Sequence, residues 1–327
     1  MTPLKQNLTI DCGSYKTIIC NEAGDKVLDE LSLAYVYPND NDAAFFGTAA
    51  RLTHGKGWCV APLMEESSEN ERYAKRMLPF FVDMAAGKVL GLFKPRIKVV
   101  VCALPLGQDA AIIRKMAASI KADDLVFIDQ PIAAARGLGL DVTSPEGKMI
   151  LDIGHKTTDI AVISNGRIIA SSSIPIAGHR FTEDIKQYLE EQCGIIVGEQ
   201  TASRVKYEVG AAITDLPQDQ IPDKFYVRGS NLERTDWQEG YVGHEQIASA
   251  LDHSLSEIEA EAVKILKEIP QTLYKDISRT GIWLVGGSAR LSGIEKRFSE
   301  GIGVRCNVPV DPGLVTARGA SSFYSKN

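Results

Sequence analysis

Two short segments of the chain carry the same arrangement of chemically useful residues. Ile10-Asp11-Cys12-Gly13-Ser14-Tyr15-Lys16-Thr17 lies near the start, and Leu151-Asp152-Ile153-Gly154-His155-Lys156-Thr157-Thr158-Asp159 in the middle. Each is an apolar run ending in Asp, a Gly after one intervening residue, and a Thr four residues beyond the Gly. Apolar runs follow both, Ile18-Ile19-Cys20 and Ile160-Ala161-Val162-Ile163. This is the pattern of a strand, a tight polar turn and a return strand. Glycine allows the turn and leaves its backbone N–H groups open, and a concavity of such groups suits phosphate. The two Asp side chains stand where the strands end. Facing one another across a cleft, they could hold a hydrated Mg²⁺, which keeps several waters and takes few protein carboxylates.

Other residues have both an ordinary and a chemical reading. Gly286-Gly287-Ser288, after the apolar run Ile282-Trp283-Leu284-Val285, is either a turn or a place where backbone approaches a ligand. Lys206, flanked by Arg204 and Glu208, reads on pattern alone as part of a solvated helix face with i,i+4 pairing. Gln130 precedes Pro131 at a strand end, where a Gln is either a surface residue or a group that orients water towards a phosphate. His155 and Lys156 sit inside the second turn, and the Lys could reach a phosphate as a point charge. His54, His179, His244 and His253 show no metal-ligand spacing, and no Ser/His/Asp or Cys/His arrangement stands out.

These residues need a framework. At 327 residues the chain suits two domains or more. Composition is 44% hydrophobic and 24% charged, as in globular proteins, and the net charge of −6 argues against nucleic-acid binding driven by a basic excess. The six cysteines form no CxxC pair and lie mostly in apolar runs, so buried free thiols in a reducing compartment are expected. The first residues do not read as a signal peptide, and no apolar run approaches the roughly 20 residues of a membrane span. The expected setting is cytoplasmic.

Strands are expected at 7–11, 16–20 and 26–29, then a mixed, turn-rich stretch over 30–66. A helix over 69–87 carries Tyr73, Met77, Phe80, Phe81 and Met84 on a helical period. A buried strand at 97–103, a helix at 109–120 and a strand at 126–128 complete a βαβ unit. The second half repeats the order. It has strands at 149–153, 158–164 and 167–172, with Asn165-Gly166 as a hairpin turn, and a helix at 182–192 capped by Thr182. A helix runs from Gln200 to about Ile213. Residues 214–244 are polar and turn-rich. A long helix with Ile247, Leu251, Leu255, Ile258, Ala262, Ile265 and Ile269 on its period stops at Pro270.

With these motifs in order, the chain resembles the actin-like ATPases, and within them bacterial MreB and its relative MamK. The resemblance covers nearly the whole chain. It rests on the two Asp-x-Gly loops, Leu92-Phe93-Lys94-Pro95-Arg96 running into Val99–Pro105, and Gln130-Pro131-Ile132-Ala133-Ala134-Ala135. Further along, it rests on Gly178-His179-Arg180-Phe181, Gly198–Gly210, Val227–Leu232, Leu284–Leu291 and Ala317-Arg318-Gly319-Ala320. It implies an α/β, actin-like, duplicated ribonuclease H-like fold. A first domain over 1–148 has a small insertion at about 30–66. A second over 149–313 has one at about 197–245, and 314–327 is a C-terminal helix returning to the first domain.

The implied activity is ATP hydrolysis coupled to homopolymeric filaments that scaffold or position cell structures, whether cell shape or magnetosome-type organelle alignment. By resemblance, Asp11 and Asp152 arrange the Mg²⁺ shell through water. Gly13, Ser14, Tyr15, Lys16, Gly154, His155, Lys156 and Thr157 meet the phosphates of ATP or ADP. Gly178, Lys206, Gly286, Gly287 and Ser288 complete the nucleotide site, and Gln130 positions water with Asp152 and Thr157 assisting. Three departures stand out: His155-Lys156 where MreB has Gly-Gly, Gln130 where MreB has Glu, and Ser203 where MreB has Glu. The many MreB proteins with an N-terminal amphipathic helix are not matched there, so a specialised paralogue is expected. Alternatives within the fold are a non-hydrolysing nucleotide-binding adaptor and a small-molecule kinase. Expected partners are further copies of the chain, cargo or membrane adaptor proteins, and a bilayer touched weakly through Leu92 and Phe93.

Overall fold

The structure is a computed structural model that describes residues 5–38, 43–87, 96–107, 109–231 and 236–324. Two compact units emerge. One comprises Met1–Pro145, Ile163–Ile168 and Gly313–Asn327, the other Glu146–Val162 and Ile169–Pro312.

The first unit is built on strands β1 (Lys5–Cys12), β2 (Lys16–Asn21) and β3 (Lys26–Leu31), with β7 (Arg96–Leu104) and β8 (Asp124–Asp129). Their order is β3-β2-β1-β7-β8. β1 runs antiparallel to β2 and parallel to β7, and β7 parallel to β8. Helix α2 (Ser68–Ala85) starts where Ser67 Oγ accepts from Asn70 N–H at 3.0 Å, as its polar side chain suits. It packs Met77, Leu78, Phe81 and Val82 with Leu8, Ile10, Ile19 and Val100 of the sheet in one apolar core. Helix α3 (Asp109–Ala117) adds Ile113 and Met116.

The period expected for α2 is only partly a buried face. Tyr73, Met77 and Phe81 are buried, but Phe80 is 44% exposed and Met84 also faces outward. Phe80 packs instead against Phe46 of the inserted segment, the two rings tilted with centroids 5.5 Å apart. That segment, expected to be irregular, holds a three-stranded sheet of β4 (Ala34–Val36), β5 (Ala43–Phe46) and β6 (Trp58–Val60), plus a short helix α1 (Thr48–Leu52).

Helix α4 (Gln130–Gly137) follows β8 directly, and α10 (Val315–Ser321) lies against it. A Cβ on either Gly137 or Gly319 would collide with the other helix's backbone, so glycine at both positions sets how closely these helices pass. Thr9 Oγ1 donates to Ala317 O at 3.0 Å and fastens α10 to β1.

The second unit repeats the plan. Its sheet is made of β9 (Lys148–Ile153), β10 (Thr158–Ser164), β11 (Arg167–Ile174), β14 (Ile282–Val285) and β15 (Cys306–Asn307) in the order β11-β10-β9-β14-β15, with the turn-side ends of β10 and β11, Ile163–Ile168, counted in the first unit. β14 is parallel to both β9 and β15. β9 is buried throughout, as a strand covered on both faces must be. Asn165-Gly166, with φ of 51° and 71°, makes the expected hairpin turn between β10 and β11.

The core of this unit joins the sheet to α5 (Gly178–Cys193), α6 (Glu199–Val209), α7 (His244–Glu268), α8 (Gln271–Thr280) and α9 (Ile294–Ile302). The apolar residues expected along α7 are all buried, and Pro270 separates α7 from α8. Helix α5 begins four residues before the expected Thr182 cap. Thr182 lies one turn into the helix, where its hydroxyl donates to Gly178 O at 3.0 Å. Helix α6 stops at Val209 rather than near Ile213, because Gly210 leaves the helical conformation. The turn-rich stretch after it contains a two-stranded hairpin, β12 (Phe225–Ser230) and β13 (Trp237–Val242). All six cysteines are free. Cys12, Cys20, Cys102 and Cys306 are buried, whereas Cys59 is exposed on the inserted sheet.

Candidate functional site

In the first unit, Asp11 is the penultimate residue of β1, opposite Ile18 on β2 and Ala103 on β7. The turn over Gly13, Ser14 and Tyr15 is held from below by a residue that sequence reasoning passed over. Buried Ser32 donates through Oγ to Gly13 O at 2.6 Å and through its N–H to Tyr15 O at 2.9 Å, while Thr17 Oγ1 lies 2.9 Å from its hydroxyl. Lys16 is drawn to the neighbouring strand, its Nζ 3.0 Å from Asp29. Burial works against ionised Asp29, but hydrogen bonds from Lys26 and Lys16 outweigh it and hold the carboxyl below its usual range.

The second unit places its equivalent groups more tightly. Parallel pairing sets Asp152 opposite Val285, so the carboxylate and the Gly286 turn stand side by side at the carboxyl ends of β9 and β14. Asp152 is 4% exposed. Gly286 has φ of 86°, and a Cβ there would be driven into the Asp152 carboxylate and the Ile153 carbonyl. Glycine is therefore required at this position on two counts. Gly287 next to it has open space where a side chain would be.

The second turn is fixed from three directions. Gly154 N–H donates to Thr157 O at 3.0 Å. The Gly154 carbonyl accepts from Gly178 N–H at 3.1 Å and from Ser288 Oγ at 2.8 Å. His179 N–H donates to His155 O at 2.7 Å. Gly154, Gly178 and Ser288, named from separate motifs, thus meet at one carbonyl. Lys206 is not on a solvated face. Its ammonium donates to Gly178 O and, at 2.8 Å, to Thr182 Oγ1. Burial lowers its pKa to about 8, against the opposing pull of Glu199.

His155 is half-buried with its ring centroid 5.6 Å from that of His179. Burial first, then the charges of Lys206 and His179, push its pKa down to about 3, so it is neutral at physiological pH. The sequence shows no metal spacing, yet donor atoms of His155, His179 and Glu199 lie within 4.8 Å of one another. Those residues are 24 and 20 positions apart, and only the fold brings them together. Lys156 and Thr157 complete the turn, both half-buried. Gln130, half-buried, opens α4 in the first unit. Leu92 and Phe93 lie outside the described residues. Among the described residues, no helix is long and apolar enough to cross a membrane.

The arrangement offers a clamped glycine turn beside a buried carboxylate, a glycine pair with open space and a lysine of lowered pKa. Those are groups that can meet a phosphorylated ligand and a hard cation.

Similarity to known proteins extends over nearly the whole chain. The profile of the family described as MreB/Mbl protein matches residues 5–327. The chain is 31% identical over 324 residues to the cell shape-determining protein MreB of Escherichia coli strain K12, covering 96% of this chain and 91% of that protein. The crystal structure of MreB5 of Spiroplasma citri bound to ADP superposes with a TM-score of 0.86 at 24% identity, covering 99% of both chains. The MamK double helical filament superposes with a TM-score of 0.77 at 17% identity, again over 99% of both. These likenesses carry the fold: it is actin-like.

Proposed function

Because this chain belongs to the MreB/Mbl family, we propose that it is an actin-like ATPase whose ATP-bound subunits assemble into filaments that scaffold or position structures in a bacterial cell. The observation that carries the reading is the second turn, where Gly154 O is clamped by Gly178 and Ser288 beside buried Asp152 and the Gly286-Gly287 step. The E. coli relative, a cell shape-determining protein, favours shape over organelle alignment.

In this reading the turns of both units offer backbone N–H groups to phosphate oxygens, Gly13, Ser14, Tyr15 and Lys16 in one, Gly154, His155, Lys156 and Thr157 in the other. Lys206, Gly178, Gly286, Gly287 and Ser288 hold the rest of an adenine nucleotide. A hard dication suits Asp11 and Asp152, since both offer carboxylate oxygens at strand ends. Bound there, Mg²⁺ supplies neutralising charge to the phosphate oxygens. Asp11 and Asp152 are the residues that would hold it, through their carboxylate oxygens. Gln130 and Thr157 align the attacking water with the terminal phosphorus, and the γ-phosphate leaves as inorganic phosphate with ADP remaining.

Assembly is supported by aromatic side chains carried outward on the two insertions, Trp58 on β6 and Trp237 and Tyr241 on β13, the last two 67% and 65% exposed. A head-to-tail contact that does not close yields an open filament. A solved structure of the same fold is described as the MamK double helical filament, which supports self-association as the reading. The adaptor reading draws on the His155 and Lys156 side chains in the second turn.

One experiment separates the two. The protein is pelleted with Mg-ATP while phosphate release is followed in the same tube and the pellet is viewed by electron microscopy. Filaments with phosphate release are expected. Filaments without release would favour the adaptor. Monomers under all salt and nucleotide conditions, together with unchanged nucleotide affinity in Asp11→Ala and Asp152→Ala by calorimetry, would overturn the proposal.

A further inference from the structure

The turn holding His155, the first turn of α5 holding His179 and the first turn of α6 holding Glu199 converge on one point. Their donor atoms lie within 4.8 Å of one another. His179 Nδ1 faces Glu199 Oε1 at 3.9 Å, too far for a hydrogen bond. That Nδ1 is nonetheless shielded from solvent and has no hydrogen-bond partner. A buried polar atom left unsatisfied calls for an explanation, and an ion that fills the gap is one. The His155 ring stands against the His179 ring, and the backbone bond from His179 N–H to His155 O at 2.7 Å holds the two residues in register.

We infer that His155, His179 and Glu199 form a binding site for a borderline divalent transition metal, with Zn²⁺ as its representative ion. Two imidazoles and one carboxylate are a donor set that such ions take readily, and Mg²⁺, which prefers oxygen, does not. Tetrahedral zinc places its donors roughly 3.3 Å apart, so the cluster needs a modest contraction. Glu199 supplies it, because its exposed side chain can turn without disturbing a core. The carboxylate also brings negative charge to a place where Lys206 is already close. Three protein ligands leave a coordination position open for water or another ligand. The metal ties the second turn to the starts of α5 and α6. The donors come from one unit and none is a proposed Mg²⁺ ligand, but His155 also lies in the proposed phosphate turn, so the test is run without nucleotide.

The test uses the full chain, treated with chelator and free of nucleotide. Titration with Zn²⁺ is followed by calorimetry, and titration with Co²⁺ by visible absorption, both with excess Mg²⁺ present. The expected result is one equivalent bound, with cobalt d–d bands and no thiolate-to-cobalt charge-transfer band. His155→Ala and His179→Ala each weaken binding about tenfold or more, as loss of a ligand should. His155→Gln and His179→Gln, which keep bulk and polarity, behave the same while retaining the wild-type circular dichroism and urea transition. Absence of stoichiometric binding, binding that survives both histidine substitutions, or a thiolate band that assigns the metal to cysteine overturns the inference.

Discussion

Lys206 offers a direct check on the electrostatics of the second turn. Its pKa falls from 10.5 to about 8 because burial disfavours the ammonium form. Between those values the unfolded chain binds more protons than the folded one, so this site's contribution to stability rises with pH through that window. Below pH 8 the site carries the whole cost of a buried ammonium, about 3 kcal/mol from a depression of roughly 2.5 units. Above 10.5 the cost is gone. Lys206→Met removes the titrating group but forfeits the hydrogen bonds to Gly178 O and Thr182 Oγ1. The absolute stability change at neutral pH therefore mixes two opposed effects, and the pH dependence isolates one. Urea unfolding of both proteins between about pH 7.5 and 10 should show the wild type gaining about 2 kcal/mol on the variant. Ionisation of other lysines and tyrosines affects both chains alike and cancels in the difference. Parallel stability curves would mean that Lys206 is ordinary in the folded chain and that the packing of α6 against α5 does not desolvate it.

Other outcomes test other parts of the reasoning. Gly286→Ala should lose about 2–5 kcal/mol of stability from left-handed backbone strain and a clash with Asp152, with weakened Mg-nucleotide binding; a wild-type melting temperature would refute this. Ser32→Ala leaves Gly13 O without its buried donor and should cost about 1–3 kcal/mol in urea unfolding, where no change would show the first turn to be self-supporting. Gln130→Ala should lower kcat with little change in KM and give long-lived ATP filaments, whereas phosphate release at the wild-type rate would remove Gln130 from the mechanism. Filaments, but not monomers, should co-sediment with anionic liposomes, through two apolar side chains worth on the order of 3–5 kcal/mol if fully buried and multiplied by avidity. Leu92→Ser with Phe93→Ser should abolish that without stopping assembly, and liposomes left in the supernatant by wild-type filaments at low salt would count against membrane contact.

What the amino-acid sequence determined by itself is local. The two Asp-x-Gly turns are legible because strand, turn and return strand lie within about ten residues, and alternation and glycine position are properties of contiguous chain. The buried face of α7 and its stop at Pro270 are legible for the same reason, as is the Asn165-Gly166 hairpin. Duplication of the turns foretold duplication of the sheet, whose strand order is the same in both units.

What only the tertiary structure decided depends on residues far apart in the chain. A helical period marks Phe80 and Met84 as apolar, but whether that face meets a core depends on the insertion lying beside α2. Thr182 looks like a cap because its type suits one, yet α5 starts at Gly178, whose N–H bonds to Gly154 O of the preceding turn. Ser32 reaches back 19 positions to Gly13, and Lys206 reaches back 28 to Gly178. His155, His179 and Glu199 carry no spacing that a sequence pattern could recognise. Hydrogen bonds, desolvation and metal ligation act over a few ångströms of space, so they follow the folded backbone and not the order of residues along it.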